Sequence, residues 1–185
     1  MKRVFLVHGW AGNPNNYWFP WLKKELEKKD YKVFVPRMPN PKFPEIETWV
    51  SFLKEQVGEV DKKTFFVGHS IGCQTIMRYL ETLDENERTG KIIFVAGFFN
   101  LPFLETGKEK TIAKPWLETK IDTEKIKKIA GKTVAIFSDN DEYVPLSDKE
   151  IFKKRLDAEI VVLHGKGHFS EGSGIKKIPE ILRYF

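Results

Sequence analysis

The chain has 185 residues, of which 41% are hydrophobic and 31% charged, and this is enough to bury a core in a single domain over 1–185. The net charge is +5, but the lysines alternate with glutamates in helical stretches such as 23–29, and no phosphate-binding loop or zinc spacing accompanies them. Nucleic acid is therefore not expected as a partner. No apolar run approaches the roughly 18 residues of a membrane span. The single cysteine, Cys73, suits a reducing compartment, so we predict a cytoplasmic monomer.

Short apolar runs alternate with helical patterns along the chain. Runs rich in Val, Ile and Phe predict six strands, at 3–7, 32–35, 64–67, 92–96, 133–137 and 159–163. Apolar residues at helical spacing predict helices near 17–29, 45–57, 71–83, 123–130, 147–156 and 174–184. Strands that are apolar throughout are typical of a parallel sheet covered on both faces. We therefore predict a three-layer α/β/α sandwich with a six-stranded, mainly parallel sheet.

The segment Gly68-His69-Ser70-Ile71-Gly72 matches G-x-S-x-G and lies between a predicted strand and a predicted helix. A sharp strand-to-helix turn holds the serine in a strained conformation, and the two glycines let neighbouring backbone approach it. The motif predicts Ser70 as a nucleophile. The alternative is a simple turn in which Ser70 caps the helix.

Attack on a carbonyl requires donors for the oxygen that becomes negative. One is expected to be the backbone N–H of Ile71, directly after the nucleophile. The other is expected in the loop 8–12 after the first strand, where we favour the N–H of Trp10. This loop faces the serine if the first and third strands flank the point where the winding of the sheet reverses. The side chain of His8 is more simply explained by a hydrogen bond to backbone.

Candidate acid and base residues follow the last two strands. Asp141 begins a D-x-x-V-P turn, and His168 lies in a loop containing Gly165 and Gly167. Ser, Asp and His in this chain order match the α/β-hydrolase arrangement, in which the base takes the serine proton and the acid orients the base. Asp139 and His164 are the alternatives, and we favour Asp141 and His168 by their positions in the loops.

These motifs together resemble the compact serine hydrolases of the retinoblastoma-binding-protein-nine and YdeN type, within the α/β-hydrolase superfamily. The resemblance covers essentially the whole chain. It rests on four segments: H-G-W-A-G at 8–12, G-H-S-I-G at 68–72, D-N-D-E-Y-V-P at 139–145 and G-K-G-H-F at 165–169. It implies a minimal α/β-hydrolase fold, hydrolase chemistry, and Ser70, Asp141 and His168 as the catalytic triad.

Residues 97–121 break the alternation of strands and helices and are rich in aromatic residues, Pro and Gly. We predict a small insertion or lid over the nucleophile. Within it, Phe98, Phe99 and Trp116 are candidate substrate-binding residues, together with Trp10 and Tyr17 elsewhere in the chain. The alternative is that the aromatic residues only pack this segment onto the body of the protein.

The predicted function is hydrolysis of carboxylic esters, small amides or thioesters through an acyl-Ser70 intermediate, with a small-molecule substrate and without metal or organic cofactor. Cys73 is expected in the core rather than as a second nucleophile. Two other functions remain open. One is a silent or weakly active binding protein on a hydrolase scaffold, and the other is a serine-dependent acyltransferase.

Overall fold

The structure, a computed structural model, describes residues 1–185 and contains one sheet of six strands. The strands are β1 (Lys2–Val7), β2 (Tyr31–Phe34), β3 (Thr64–His69), β4 (Ile92–Val95), β5 (Thr133–Ser138) and β6 (Glu159–Leu163). They pair in the order β2-β1-β3-β4-β5-β6, and every neighbouring pair is parallel. The predicted six-stranded parallel sheet is confirmed.

Helices cover both faces of this sheet. They are α1 (Phe19–Glu27), α2 (Ile46–Val57), α3 (Ile71–Glu81), α4 (Gly107–Glu118), α5 (Thr123–Ile129), α6 (Asp148–Leu156) and a 3₁₀-helix (Pro179–Tyr184). Side chains of α1 and the 3₁₀-helix share one buried cluster with alternate strand residues such as Val4 and Leu6. Side chains of the other helices share a second cluster with Phe5 and Phe66. This arrangement confirms the three-layer sandwich, because successive strand residues point to opposite faces.

Two elements differ from the sequence prediction. Residues 97–121 are not irregular throughout, since α4 occupies half of them. A capping box at Thr106 and Glu109 starts this helix, while few apolar residues and Pro115 obscure its helical period in the sequence. The predicted helix 174–184 is a short 3₁₀-helix, because its buried residues recur every third position and so lie on one face at three residues per turn.

The winding of the sheet leaves a crevice beside its central strands. From β1 the chain passes to β2 on one side and then returns to β3 on the other. Val7 at the end of β1 pairs with Gly68 at the end of β3. The loops that follow β1 and β3 therefore leave the same edge of the sheet and diverge there, as at the switch point of other open parallel sheets.

No helix of this fold has both the length and the apolar character needed to cross a membrane. The fold brings together no group of three or more His, Cys, Asp or Glu side chains that could hold a metal ion.

Candidate active site

Ser70 lies in the sharp turn between β3 and α3 and has the strained backbone angles φ 54° and ψ −123°. Both glycines of the motif are required by close contacts. A Cβ on Gly72 would lie 2.3 Å from the carbonyl oxygen of Val7, and a Cβ on Gly68 would lie 2.8 Å from the backbone nitrogen of Cys73. Any larger residue at position 68 or 72 would therefore force these backbone segments to separate and would disrupt the turn.

Three side chains form a continuous hydrogen-bonded chain at this turn. Ser70 Oγ lies 2.9 Å from His168 Nε2, and His168 Nδ1 lies 2.9 Å and 3.0 Å from the two carboxylate oxygens of Asp141. The side chains of His168 and Asp141 are 9% and 3% exposed. Asp141 Oδ1 also accepts hydrogen bonds from the N–H groups of Tyr143 and Val144. In this arrangement the carboxylate accepts from His168 Nδ1–H, and this leaves Nε2 free to accept the serine proton.

The alternative acid and base pair with each other away from Ser70. His164 Nδ1 lies 2.6 Å from Asp139 Oδ2, and the His164 side chain is 96% exposed. Asp139 also accepts a hydrogen bond from the N–H of Gly165, and this bond, followed by that to His164, lowers the pKa of its carboxyl group. The structure therefore brings Asp141 and His168, not Asp139 and His164, to the serine.

The loops after β5 and β6 are joined by side chains of the first loop. Besides the bonds of Asp139 and Asp141, Ser138 Oγ accepts from the N–H of Lys166 and Asn140 Oδ1 accepts from the N–H of Gly167. Every residue from 138 to 141 thus bonds to the segment that carries His168. This network fixes the position of His168 relative to Asp141 before any substrate binds.

The loop after β1 lies directly against Ser70. A Cβ on Gly9 would be 3.2 Å from Ser70 Cβ. The backbone N–H groups of Trp10 and Ile71 donate to no group in the protein, and that of Ile71 belongs to the first turn of α3, where intrahelical partners are missing. Both unpaired donors thus belong to residues that line the same cavity as Ser70.

The side chain of His8 has a structural role in this loop. Its Nδ1–H donates to the carbonyl of Gly9 at 2.9 Å, and its Nε2 accepts from the N–H of Met38 at 3.1 Å. Burial lowers the pKa of His8, which keeps the ring neutral in this arrangement. The expected backbone hydrogen bond of His8 is therefore present.

A cavity of about 320 Å³ opens next to Ser70. Nine of its lining residues are apolar, and its full lining is Gly9, Trp10, Ala11, Tyr17, His69, Ser70, Ile71, Phe98, Leu101, Leu104, Glu109, Ala113, Tyr143, His168 and Ser170. Trp10, Tyr17 and Phe98, three of the predicted substrate-binding residues, are among them. Segment 97–121 contributes to the cavity through the loop after β4 and through Glu109 and Ala113 of α4.

The structure corrects the placement of the other two candidates, Phe99 and Trp116, neither of which lines the cavity. Trp116 is 1% exposed, packs edge-on against Trp49 and donates from Nε1 to the carbonyl of Pro44. Phe99 packs against Phe152. Both rings face the body of the protein because α4 and the loop before it bury their apolar side chains against the helices beneath.

Some cavity residues were not identified from the sequence, namely His69, Glu109, Ala113, Tyr143 and Ser170. Tyr143 and Ser170 stand two residues beyond Asp141 and His168, so proximity to the predicted acid and base was an available signal. His69 is the variable position of G-x-S-x-G. Glu109 and Ala113 are one helical turn apart on α4, and only recognition of that helix places them on one face.

Cys73 lies beneath the serine rather than in the cavity. It is fully buried, and its Sγ lies 3.5 Å from the carbonyl of Val95. Burial raises the pKa of its thiol well above the usual range, so the thiolate needed for nucleophilic attack is not formed at neutral pH.

Sequence comparisons identify the family and relatives of this chain. The sequence profile of a family described as serine hydrolase matches residues 4–185. The chain is 34% identical to the Bacillus subtilis hydrolase YdeN over 179 residues, which cover 96% of this chain and 91% of YdeN. It is 27% identical to the serine hydrolase RBBP9 of Rattus norvegicus over 164 residues, which cover 88% of this chain and 79% of that protein.

Solved structures show the same fold. The crystal structure of the ydeN gene product from B. subtilis matches with a TM-score of 0.90 at 32% identity, covering 99% of this chain and 96% of that one. Est1E from Butyrivibrio proteoclasticus, solved with ferulic acid bound, matches with a TM-score of 0.69 at 13% identity, covering 100% and 89%. The likeness to Est1E concerns the fold alone. The match of the family profile to nearly the whole chain and the identity to YdeN confirm the resemblance predicted from the motifs, and the chain belongs to the serine hydrolase family.

Proposed function

We propose that this protein hydrolyses carboxylic esters through an acyl-Ser70 intermediate, with His168 as general base and Asp141 as the carboxylate that orients it. The observation that carries the proposal is the chain of hydrogen bonds from Ser70 Oγ through His168 to Asp141, with heavy-atom distances of 2.9–3.0 Å. A nucleophile and a base at this separation can exchange a proton without rearrangement.

In acylation, Ser70 Oγ forms a bond to the carbonyl carbon of the ester while its proton moves to His168 Nε2. The imidazolium that results faces the buried carboxylate of Asp141, which stabilises the positive charge. When the bond between the acyl carbon and the alcohol oxygen breaks, the proton on Nε2 passes to that oxygen. The alcohol leaves, and the acyl group stays on Ser70.

The backbone N–H groups of Trp10 and Ile71 are the proposed donors to the carbonyl oxygen as it becomes negative. Both residues line the cavity next to Ser70, and their N–H groups have no partner in the protein, which supports this role. The N-terminus of α3 adds a favourable dipole at the same place. Donors that are already oriented need no reorganisation when charge develops.

In deacylation, a water molecule gives a proton to His168 Nε2 and attacks the acyl carbon. The proton then returns to Ser70 Oγ as the carboxylic acid leaves. These steps balance without a metal ion or an organic cofactor, so none is proposed.

The proposed substrate is a small, mainly apolar ester whose acyl group contacts Trp10, Tyr17 and Phe98. The volume of the cavity, about 320 Å³, and its largely apolar lining support this class. Esters are favoured over amides because their leaving groups need less protonation to depart. We further propose that segment 97–121 forms one wall of this site within a single domain. A monomeric state and a cytoplasmic location stay predictions of the sequence.

The test is intact-mass analysis after treatment with a fluorophosphonate, followed by assay with chromogenic esters. Wild type is expected to gain one adduct, and Ser70→Ala and His168→Ala are expected to gain none. Ser170→Ala is the matched control, because Ser170 lines the same cavity but its hydroxyl bonds only to that of Ser173. Adduct formation in this variant should equal that of wild type. A folded wild type without adduct would reject the hydrolase proposal and favour a binding protein on a hydrolase scaffold.

A further inference from the structure

His69, the residue before the proposed nucleophile, is bonded to the backbone of the proposed base. Its Nε2 lies 2.7 Å from the carbonyl oxygen of His168. A carbonyl can only accept, so Nε2 carries the proton and donates. The other ring nitrogen, Nδ1, is buried without a partner and faces the loop after β1, where a Cβ on Gly9 would lie 3.0 Å from it.

The surroundings of His69 keep its ring neutral. The ring is 2% exposed and packs against the rings of Tyr17, Trp18 and Phe19, with centroid separations of 5.4–6.5 Å. Burial, and after it the neighbouring His168, lowers the pKa of His69 to about 3, against smaller opposing effects of the carbonyl of His168 and of Asp141.

His8 is a further titratable side chain near the ring, and it also lowers the pKa of His69. A neutral ring with one proton and one donor bond is therefore maintained throughout the pH range of ordinary assays.

The hydrogen bond from His69 holds the loop after β6 from a second direction, because the bonds to the N–H groups of Gly165, Lys166 and Gly167 all come from the end of β5 and the loop after it. Gly165, Gly167 and Phe169 in this loop all have positive φ angles. Asp141 orients the imidazole of His168, but its bond acts on the side chain and comes from the loop after β5. The bond from His69 acts on the main chain and comes from the residue adjacent to Ser70. It therefore couples the position of the base directly to the turn that holds the serine.

We infer that His69 is a positioning residue, whose Nε2–H holds the main chain of His168 so that the imidazole stays within proton-transfer distance of Ser70. This inference rests on the proposed function, because its consequence is a rate. A displacement of about 1 Å between reacting groups can reduce a rate about 100-fold. Loss of this bond should consequently reduce kcat and leave KM nearly unchanged, since His69 only borders the cavity.

Two substitutions of His69 by amide residues distinguish a role in positioning His168 from a role in packing alone. The side-chain nitrogen of His69→Gln reaches the place of Nε2 and can donate to the carbonyl of His168, whereas that of His69→Asn is one bond shorter and cannot. With a p-nitrophenyl ester, we expect kcat of His69→Asn to fall about 10- to 100-fold with KM within about 3-fold, and kcat of His69→Gln to stay within about 5-fold of wild type. Melting temperatures of both variants serve as the folding control. Equal kcat values for the two variants would overturn the inference.

A measurement on wild type keeps the inference testable if the variants do not fold. Nitrogen-15 NMR of the histidine rings should show His69 with a protonated Nε2 and a bare Nδ1 from pH 5 to pH 8. A proton on Nδ1, or a mixture of tautomers, would overturn it. This readout needs no activity, so it is independent of the fluorophosphonate test of the proposed function.

Discussion

The carboxylates of Asp139 and Asp141 follow the same strand but contact different histidines. Asp141 is buried against His168, and Asp139 is partly exposed and bonded to the solvent-exposed His164. An exposed pair of this kind contributes little to stability, because water and salt screen it. The difference between Asp141, the proposed catalytic carboxylate, and Asp139, which only connects two loops, is therefore their burial and not their residue type.

We expect Asp141→Asn to lower kcat by roughly 10⁴-fold, because an amide opposite Nδ1 favours the wrong imidazole tautomer. Asp139→Asn is the matched control and should stay within about 10-fold of wild type. Steady-state assays with one chromogenic ester check both. A larger loss for Asp139→Asn than for Asp141→Asn would reverse the assignment of the acid.

Glu109 places a carboxylate in an otherwise largely apolar cavity. It bonds through Oε2 to the N–H and hydroxyl of Thr106. Together with burial and nearby Glu142, it also raises the pKa of Tyr143, which lines the same cavity. The cavity should therefore disfavour acyl groups that carry a negative charge.

Glu109→Gln should raise kcat/KM for an anionic half-ester, such as a p-nitrophenyl succinate, by a factor of about 2 to 5 relative to a neutral butyrate, because it removes a like charge from the wall of the cavity. Gln at this position can still complete the capping box. Glu118→Gln on the same helix is the control and should leave the ratio unchanged. An unchanged ratio in Glu109→Gln would show that the carboxylate does not act on bound substrate.

At the scale of elements, the contact between α3 and β1 determines how closely the two sides of the site approach. Gly72 in the first turn of α3 leaves no room for a side chain beside Val7 and His8, whose backbone oxygens would lie 2.3 Å and 2.7 Å from an added Cβ. The helix that follows Ser70 and the loop that carries Trp10 therefore meet through main-chain atoms, which cannot move aside as a flexible side chain can.

Gly72→Ala should destabilise the protein by about 1–3 kcal/mol or more and slow fluorophosphonate labelling, because the helix must shift away from the loop after β1. Gly107→Ala, in the first turn of α4 with open space around it, should change stability by less than about 1 kcal/mol. Urea denaturation measures both. Equal stability of the two variants would contradict the close contact at Gly72.

At the scale of the whole molecule, buried neutral histidines make stability depend on pH. The pKa of His69 falls from its usual value to about 3 in the folded protein, and burial also lowers that of His8. An unfolded chain binds protons at these histidines below about pH 6.5, whereas the folded chain does not. The contribution of these neutral histidines to the free energy of unfolding is therefore fully present above pH 6.5 and is lost as the pH falls toward 3.

Between pH 7 and pH 5, His69 alone should lower the free energy of unfolding by about 2 kcal/mol. Urea denaturation of wild type and His69→Gln at the two pH values checks this, since the variant should lose correspondingly less stability. This window lies above the range in which carboxylates such as Asp139 titrate. A wild-type stability that does not change between pH 7 and pH 5 would contradict a buried, neutral His69.

The sequence predicted the elements that depend on short stretches of chain. Apolar runs and helical spacing were sufficient for six strands and five of the helices, because each pattern spans only a few turns or pleats. The turn at Ser70 could also be predicted from the sequence, since its geometry requires small residues at positions 68 and 72. The helix α4 was missed because the sequence marks it by the capping residue Thr106 and not by apolar residues repeated at helical spacing.

What the sequence by itself determined was thus the class of fold, the turn at Ser70 and the family. Only the tertiary structure decided which of two histidines after β6 reaches Ser70, and that Trp116 faces the core while Tyr143 faces the cavity. It also brought His69 to the carbonyl of a residue 99 positions away. These outcomes depend on the order of the strands and on the packing of loops against one another, and such long-range contacts leave no local pattern in the chain.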